Sequence, residues 1–283
     1  MLRPHQWIKN GFCLAGLVFG TRLGEPQAWV AASVGFVFFC AASSCMYVLN
    51  DLRDIERDRL HPKKRWRPLA SGVVTRAQAV WTSALLGAFA ASSFFVIDPR
   101  AFSCLCAYAA LNVSYSLWLK NQVLLDVAAI ALGFVLRMLG GCYAVDEIPT
   151  TWITLCTFFL ALFLGFAKRR AELGESLTAS NSQRPVLAEY SVAYLDSLLN
   201  GTAAMTILTY ALFTVGAGKN PTLIITVPMV YLAITQYQLL VSNREGGEEP
   251  ERILLGNRRI QFWIAVWLIT YLWVTNTPVQ LFK

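Results

Sequence analysis

The chain has 283 residues, 56% hydrophobic and only 14% charged, with a mean hydropathy of +0.49. A soluble domain carries roughly a quarter charged residues, so this balance excludes a water-soluble globule and points to an integral membrane protein. The net charge of +7 comes without any separate basic domain, which argues against nucleic acid as a partner and for anionic headgroups and phosphorylated substrates.

In chain order, apolar segments able to span a bilayer fall at 11–25, 28–48, 77–97, 101–118, 123–143, 150–167, 197–217, 221–241 and 260–277. The first is short and weak, with Lys9 and Asn10 near its start. The expected fold is therefore all-α: a polytopic bundle of nine transmembrane helices, one integral membrane domain over 1–283, with sizeable loops at 51–76 and 168–196. The opening Met-Leu-Arg-Pro-His-Gln-Trp lacks the basic–apolar–small pattern of a cleavable leader. With the amino terminus inside, every Lys and Arg lies on the cytoplasmic side except Arg22, Arg100, Lys219, Lys283 and the in-span Arg137. That asymmetry predicts a multi-pass protein of a bacterial-type inner membrane, amino terminus cytoplasmic, carboxyl terminus external, site facing the cytoplasm. The seven cysteines show no Cys-x-x-Cys and no zinc spacing, and read as small apolar fillers.

The most informative stretch is Asn50-Asp51-Leu52-Arg53-Asp54-Ile55-Glu56-Arg57-Asp58, where the second span meets water. On a continuous helix Asp51, Asp54 and Asp58 sit at about 0°, 300° and 340°, with Arg53 and Arg57 on the other side. Three carboxylates on one face suit Mg²⁺, a hard cation often held by carboxylates together with substrate phosphates. The plainer alternative is a charged helix end that stops the apolar segment sliding. His61-Pro62-Lys63-Lys64-Arg65-Trp66-Arg67-Pro68 follows, with four cations in five positions that fit either a phosphorylated ligand or a positive-inside anchor.

Further on, Tyr115, Lys120 and Asp126 bridge the fourth and fifth spans. Arg137 lies within the fifth, where an arginine costs roughly 2.5–3.5 kcal/mol on insertion scales and normally faces a cavity or partner. Asp126 and Arg137, eleven residues apart, fall on nearly one stripe and read as two depths of one polar cavity. Lys168, Arg169 and Glu172 close the sixth span and fit either a surface ion pair or a phosphate contact. Lys9 and Asn10 can turn inward from the first span, and Gly16-x-x-x-Gly20 predicts close helix packing. With only His5 and His61 present, general-base chemistry by histidine is disfavoured.

Taken together, these motifs resemble the UbiA superfamily of intramembrane prenyltransferases, whose Asn-Asp-x-x-Asp-x-x-x-Asp hallmark matches Asn50, Asp51, Asp54 and Asp58. The resemblance covers essentially the whole chain and implies nine helices around a cytoplasm-facing cavity. Typical members carry a second Asp-rich motif after helix 6. Here Lys168-Arg169-Arg170-Ala171-Glu172 stands in its place. With Arg-Pro-x-Gln-Trp-x-Lys-Asn, His-Pro-x-Lys-x-x-Arg-Pro and Tyr-Ser-x-x-Leu-Lys, this looks like the decaprenyl-phosphate phosphoribosyltransferase branch. The resemblance implies a Mg²⁺-dependent enzyme that moves 5-phosphoribose from phosphoribosyl pyrophosphate to a polyprenyl phosphate and releases diphosphate, towards lipid-linked D-arabinose. It implies Asp51, Asp54 and Asp58 as catalytic metal ligands. Asn50, Lys63, Arg67, Tyr115 and Lys120 then hold the donor, with Lys168, Arg169 and Glu172 closing its phosphate or ribose side. Lys9 and Arg137 are assigned to the acceptor phosphate or cavity floor, with Asn10 and Asp126 lining the same cavity. Two rivals stay open: an ordinary prenyltransferase acting on a prenyl diphosphate, and a non-enzymatic lipid transporter or scaffold. Neither lipid length nor oligomeric state is encoded in these residues.

Overall fold

The computed structural model describes residues 1–60, 64–176, 185–216, 218–242, 253, 256–278 and 280–282. Lys63, His61 and parts of the 168–196 and 242–259 loops lie outside them. Among the described residues all regular structure is helical, as an all-α chain requires. The chain forms two compact units, residues 1–118 with 136–149 and residues 119–135 with 150–283.

The first unit opens with a 3-10 helix, Pro4–Leu14, that widens into the five-residue α1, Ala15–Phe19. The expected first span is thus not one long α-helix. Polar Lys9 and Asn10 interrupt its apolar face, and its glycines serve close backbone packing. A Cβ on Gly16 would stand 2.8 Å from the Cα of Cys142, and one on Gly141 would stand 1.9 Å from the Cys13 carbonyl oxygen. The predicted small-residue contact at Gly16 is real, and its partner strip is Gly141-Cys142. Helix α2, Pro26–Arg53, starts with proline at its first position, where the missing N–H costs nothing. After a single turn residue comes α3, Ile55–Leu60. Helix α4, Arg76–Ser92, begins with a reciprocal capping box between Thr75 and Gln78, and Asp98 caps α5, Pro99–Leu117. Phe38, Phe39, Leu105 and Tyr108 form the core, joined by Leu136 and Leu139 from the second half of α6, Leu125–Ala144.

Where α2 begins, the connections of this unit are tied by charge. Asp146 accepts from Arg100 at 2.8 Å and from Arg22 at 3.3 Å, while Glu147 accepts from the Thr21 N–H and hydroxyl at 2.8 and 2.7 Å. Arg100 also donates to Asp98 and holds that carboxyl below the usual carboxylate range.

The second unit packs the first half of α6 with α7, Thr151–Ser176, α8, Val192–Thr214, α9, Val227–Ser242, and α10, Arg258–Asn276. Phe163, Phe166, Leu195, Leu199, Tyr237 and Ile260 fill its core. Along α8 the hydroxyls of Thr202, Thr206 and Thr209 donate back to the carbonyls of Leu198, Thr202 and Met205, which satisfies them without water. Among the described residues, four helical stretches can cross a membrane by length and composition: Pro26–Arg53, Leu125–Ala144, Thr151–Gly174 and Pro221–Ser242. They make this an integral membrane chain. Six cysteines are buried among the helices, Cys106 is exposed, and all are free thiols, as small apolar fillers should be.

Candidate active site

The aspartate motif sits at the end of α2. Helical dihedrals hold to Arg53, lapse at Asp54 (φ −95°, ψ 10°) and resume at Ile55. The ladder survives the lapse: the Asp54 N–H donates to the Asn50 carbonyl at 3.0 Å and the Asp58 N–H to the Asp54 carbonyl at 2.8 Å. The expected sorting by sign holds as well. Asp51 and Asp58 are buried, each 3% exposed, and Asp54 is half-buried, whereas Arg53, Arg57 and Arg59 are exposed. Exposed Glu56 is paired with Arg59 and Arg76 at 3.2 and 2.7 Å.

The chain after α3 returns to this face because Ile55 and Leu69 bury against Val48 and Ala79. A 3-10 turn over Lys64–Trp66 and a left-handed Gly72 (φ 81°) close the loop. Arg67 is thereby delivered between the two buried acids: its Nη1 donates to Asp58 Oδ2 at 2.6 Å and to Asp51 Oδ1 at 3.3 Å. Asp51 also accepts from Arg3. The Arg3 guanidinium lies 5.0 Å over the Tyr47 ring. Asn50 accepts from the Ser116 hydroxyl at 2.7 Å, and the Ser116 carbonyl accepts from Arg53 at 2.7 Å, so the ends of α2 and α5 are latched. Tyr115 is half-buried beside that latch. Nearby in sequence, Lys9 donates to Gln6.

Deeper in the same unit, Arg137 is 6% exposed and meets Asn10, itself 1% exposed. Its Nε donates to Asn10 Oδ1 at 2.7 Å and its Nη2 to the Tyr108 hydroxyl at 2.6 Å, with the guanidinium 4.4 Å from the Tyr108 ring centre. Asn10 in turn donates to Cys40 Sγ and Ser43 Oγ, both at 3.2 Å. Arg137 does face polar partners, as a membrane arginine must.

The second unit holds its own polar cluster. Arg169, 1% exposed, donates from Nε to Asp126, 0% exposed, at 2.7 Å and from Nη1 to Glu172. The Tyr190 hydroxyl donates to Asp126 at 3.3 Å and accepts from the Leu124 N–H at 2.7 Å. Burial pushes the Tyr190 phenol up to about 12. Lys120 and Lys168 are half-buried in this unit. Asp126 and Arg137, one stripe in the sequence, thus have different partners in different units.

Among the described residues no group of three or more His, Cys, Asp or Glu gathers to hold a metal ion. Asp51 and Asp58 nevertheless suit a hard cation. Two buried carboxylates converge on the positive Nη1 of Arg67, the donors are all oxygen, and Mg²⁺ is usually held by only one or two carboxylates plus substrate phosphate.

The sequence profile of the UbiA prenyltransferase family matches residues 11–263. The chain belongs to the UbiA prenyltransferase family. Among the relatives of this UbiA chain, the decaprenyl-phosphate phosphoribosyltransferase of Mycolicibacterium smegmatis is 32% identical over 95% of the chain and 89% of the relative. That of Mycobacterium tuberculosis H37Rv is 30% identical over 95% and 91%. Among solved structures, a UbiA homolog from Archaeoglobus fulgidus bound to GPP and Mg²⁺ superimposes with a TM-score of 0.74 at 21% identity, covering 98% of each chain. This last likeness establishes the fold. Tyr108 and Tyr190 were not singled out from the sequence, and Arg3 and Ser116 entered only as members of the Arg-Pro-x-Gln-Trp-x-Lys-Asn and Tyr-Ser-x-x-Leu-Lys motifs, with no role assigned. A tyrosine predicted inside an apolar span, as Tyr108 is, carries a usable signal, because a buried phenol needs a partner.

Proposed function

We propose that the chain transfers 5-phosphoribose from phosphoribosyl pyrophosphate to a polyprenyl phosphate, releasing diphosphate at the cytoplasmic face of a bacterial inner membrane and feeding lipid-linked D-arabinose. The observation that carries the reading is Arg169. Where a prenyltransferase of this family would offer a second set of acids, this chain places the buried guanidinium of Arg169, which engages Glu172 of the same segment and Asp126 of α6. Similarity over 95% of the chain to proteins named decaprenyl-phosphate phosphoribosyltransferase supports it.

Asp51 and Asp58, with half-buried Asp54 between them in sequence, would hold Mg²⁺, which supplies neutralisation of the charge gathering on the departing diphosphate. Arg67 stands ready for the same anion once the acids release it, and its two-pronged donor geometry suits phosphate oxygens. Ser116 fixes Asn50 so that its amide has one preset orientation toward the donor. The acceptor phosphate is already ionised at neutral pH and needs no general base, in keeping with a site poor in histidine. Positioning and electrostatics therefore carry the catalysis. Lys9, Asn10 and Arg137 are assigned to the acceptor side of the first unit. Lys120 and Lys168 remain phosphate-binding candidates of the second, where Arg169 is taken up by Asp126 and Glu172. Lys63 and Tyr115 complete the donor assignment.

Purified protein given labelled phosphoribosyl pyrophosphate and polyprenyl phosphate should move label into the lipid fraction only with Mg²⁺. Asp51→Asn and Asp58→Asn should each cut this roughly 10²–10³-fold. Turnover of a prenyl diphosphate with no labelled lipid would return the assignment to the prenyltransferase reading, and no turnover of either diphosphate by the unmodified chain would favour a scaffold.

A further inference from the structure

We propose that Arg3 is a ligand-handling residue of the aspartate site. Its guanidinium pairs with Asp51, and passes to the diphosphate end of the donor when a divalent cation takes that carboxylate. The inference rests on the reading of this site as a diphosphate-handling centre.

The charges around the site require such an exchange. Two buried carboxylates, Asp51 and Asp58, are matched by two guanidiniums, Arg3 and Arg67. A divalent cation entering alone would face two fixed positive charges in a water-poor setting, where like charges repel strongly. A cation that arrives with a diphosphate brings its own negative charge, and the guanidiniums then gain an anion as they lose a carboxylate. Of the two arginines, Arg67 is gripped from both sides and sits in a loop pinned by Leu69 and the Gly72 turn. Arg3 is the more readily released. Asp51 holds its guanidinium, its side chain retains 25% of its exposure, and its backbone stands in the left-handed region at φ 51°, which an arginine rarely adopts. The flanking chain stays anchored whatever the side chain does. The Leu2 carbonyl accepts from the Ser44 hydroxyl at 3.1 Å, and the Trp7 indole donates to that hydroxyl at 3.0 Å. A swing of one long side chain over Tyr47 therefore suffices.

The test uses the full chain, Mn²⁺ read by paramagnetic resonance, and inorganic diphosphate as the anion. Without any phosphate ligand, Arg3→Ala should bind Mn²⁺ about tenfold more tightly than the unmodified chain. With Mn²⁺ saturating, the same variant should bind diphosphate about tenfold more weakly. Arg22→Ala, which removes a half-buried arginine near the start of α2, should change neither. Equal Mn²⁺ affinity, or equal diphosphate affinity, in Arg3→Ala and the unmodified chain would overturn the proposal. Neither measurement uses the sugar donor. Labelled-lipid formation with unaltered Mn²⁺ affinity therefore removes Arg3 and leaves the proposed function standing, whereas the converse pattern does the opposite.

Discussion

At the scale of single residues, burial decides which charged contacts matter. The Asp126–Arg169 pair is 0% and 1% exposed at its side chains, whereas Arg22 and Asp146 keep 38% and 65%. Removing one partner of a buried pair leaves an uncompensated charge, so Asp126→Ala should cost about 3–5 kcal/mol. Arg22→Ala should cost less than about 1 kcal/mol. Thermal unfolding in detergent separates the two. Tyr190 gives a signature in pH. Its phenol is held neutral up to about 12, above the ordinary value of 10. Its contribution to stability is therefore complete below pH 10 and is lost as pH rises through about 12, because the unfolded chain ionises first. A difference titration of the phenolate absorbance between the unmodified chain and Tyr190→Phe should show one group titrating near 12; a group titrating at 10 would mean the phenol is not buried against Asp126. The placing of the acids was legible at this scale, because residues spaced 51, 54 and 58 share a face on any near-regular helix. The arginines that answer them were less so: Arg67 was read as a phosphate ligand, and its bridge between two aspartates depends on how Leu69 and Gly72 fold the loop back.

At the scale of elements, the amino-terminal segment is the instructive departure. Its apolar composition predicts a span, yet it winds as a 3-10 helix over Pro4–Leu14 and lies against α6 backbone to backbone. Helices in lipid gain stability from such close approach between small residues, where no hydrophobic force distinguishes side chain from lipid tail. A periodicity argument sees residue polarity and is blind to this contact, whereas the Gly16-x-x-x-Gly20 spacing hinted at it. Gly141→Ala would drive a methyl into the Cys13 carbonyl and should destabilise by about 1–3 kcal/mol or more. Gly11→Ala meets nothing within 4 Å and should be close to neutral. Equal thermal midpoints for the two variants would rule out the close packing. The other segments were easier to place, because long apolar runs bounded by Pro26, Thr75, Asp98 and Ser191 announce both the helix and its cap.

At the scale of the whole molecule, composition gave the membrane class, and apolar runs of about twenty residues gave the helices, because a β-barrel would show short alternating segments instead. The choice of donor lies in what separates the two halves of the polar chemistry. One cluster presents paired acids, Asp51 and Asp58, around two partly exposed guanidiniums, Arg3 and Arg67. The other locks its acids onto the buried Arg169. A donor that needs one acidic cradle and abundant positive charge fits this better than one that needs two acidic cradles. The most direct measurement offers the purified protein phosphoribosyl pyrophosphate and a prenyl diphosphate together, with polyprenyl phosphate and Mg²⁺, and reads the lipid products by mass. The expected product is polyprenyl phosphate heavier by one phosphoribosyl group, formed only with metal and lost in Asp51→Asn. A prenylated acceptor, with the polyprenyl phosphate unchanged in mass, would contradict it.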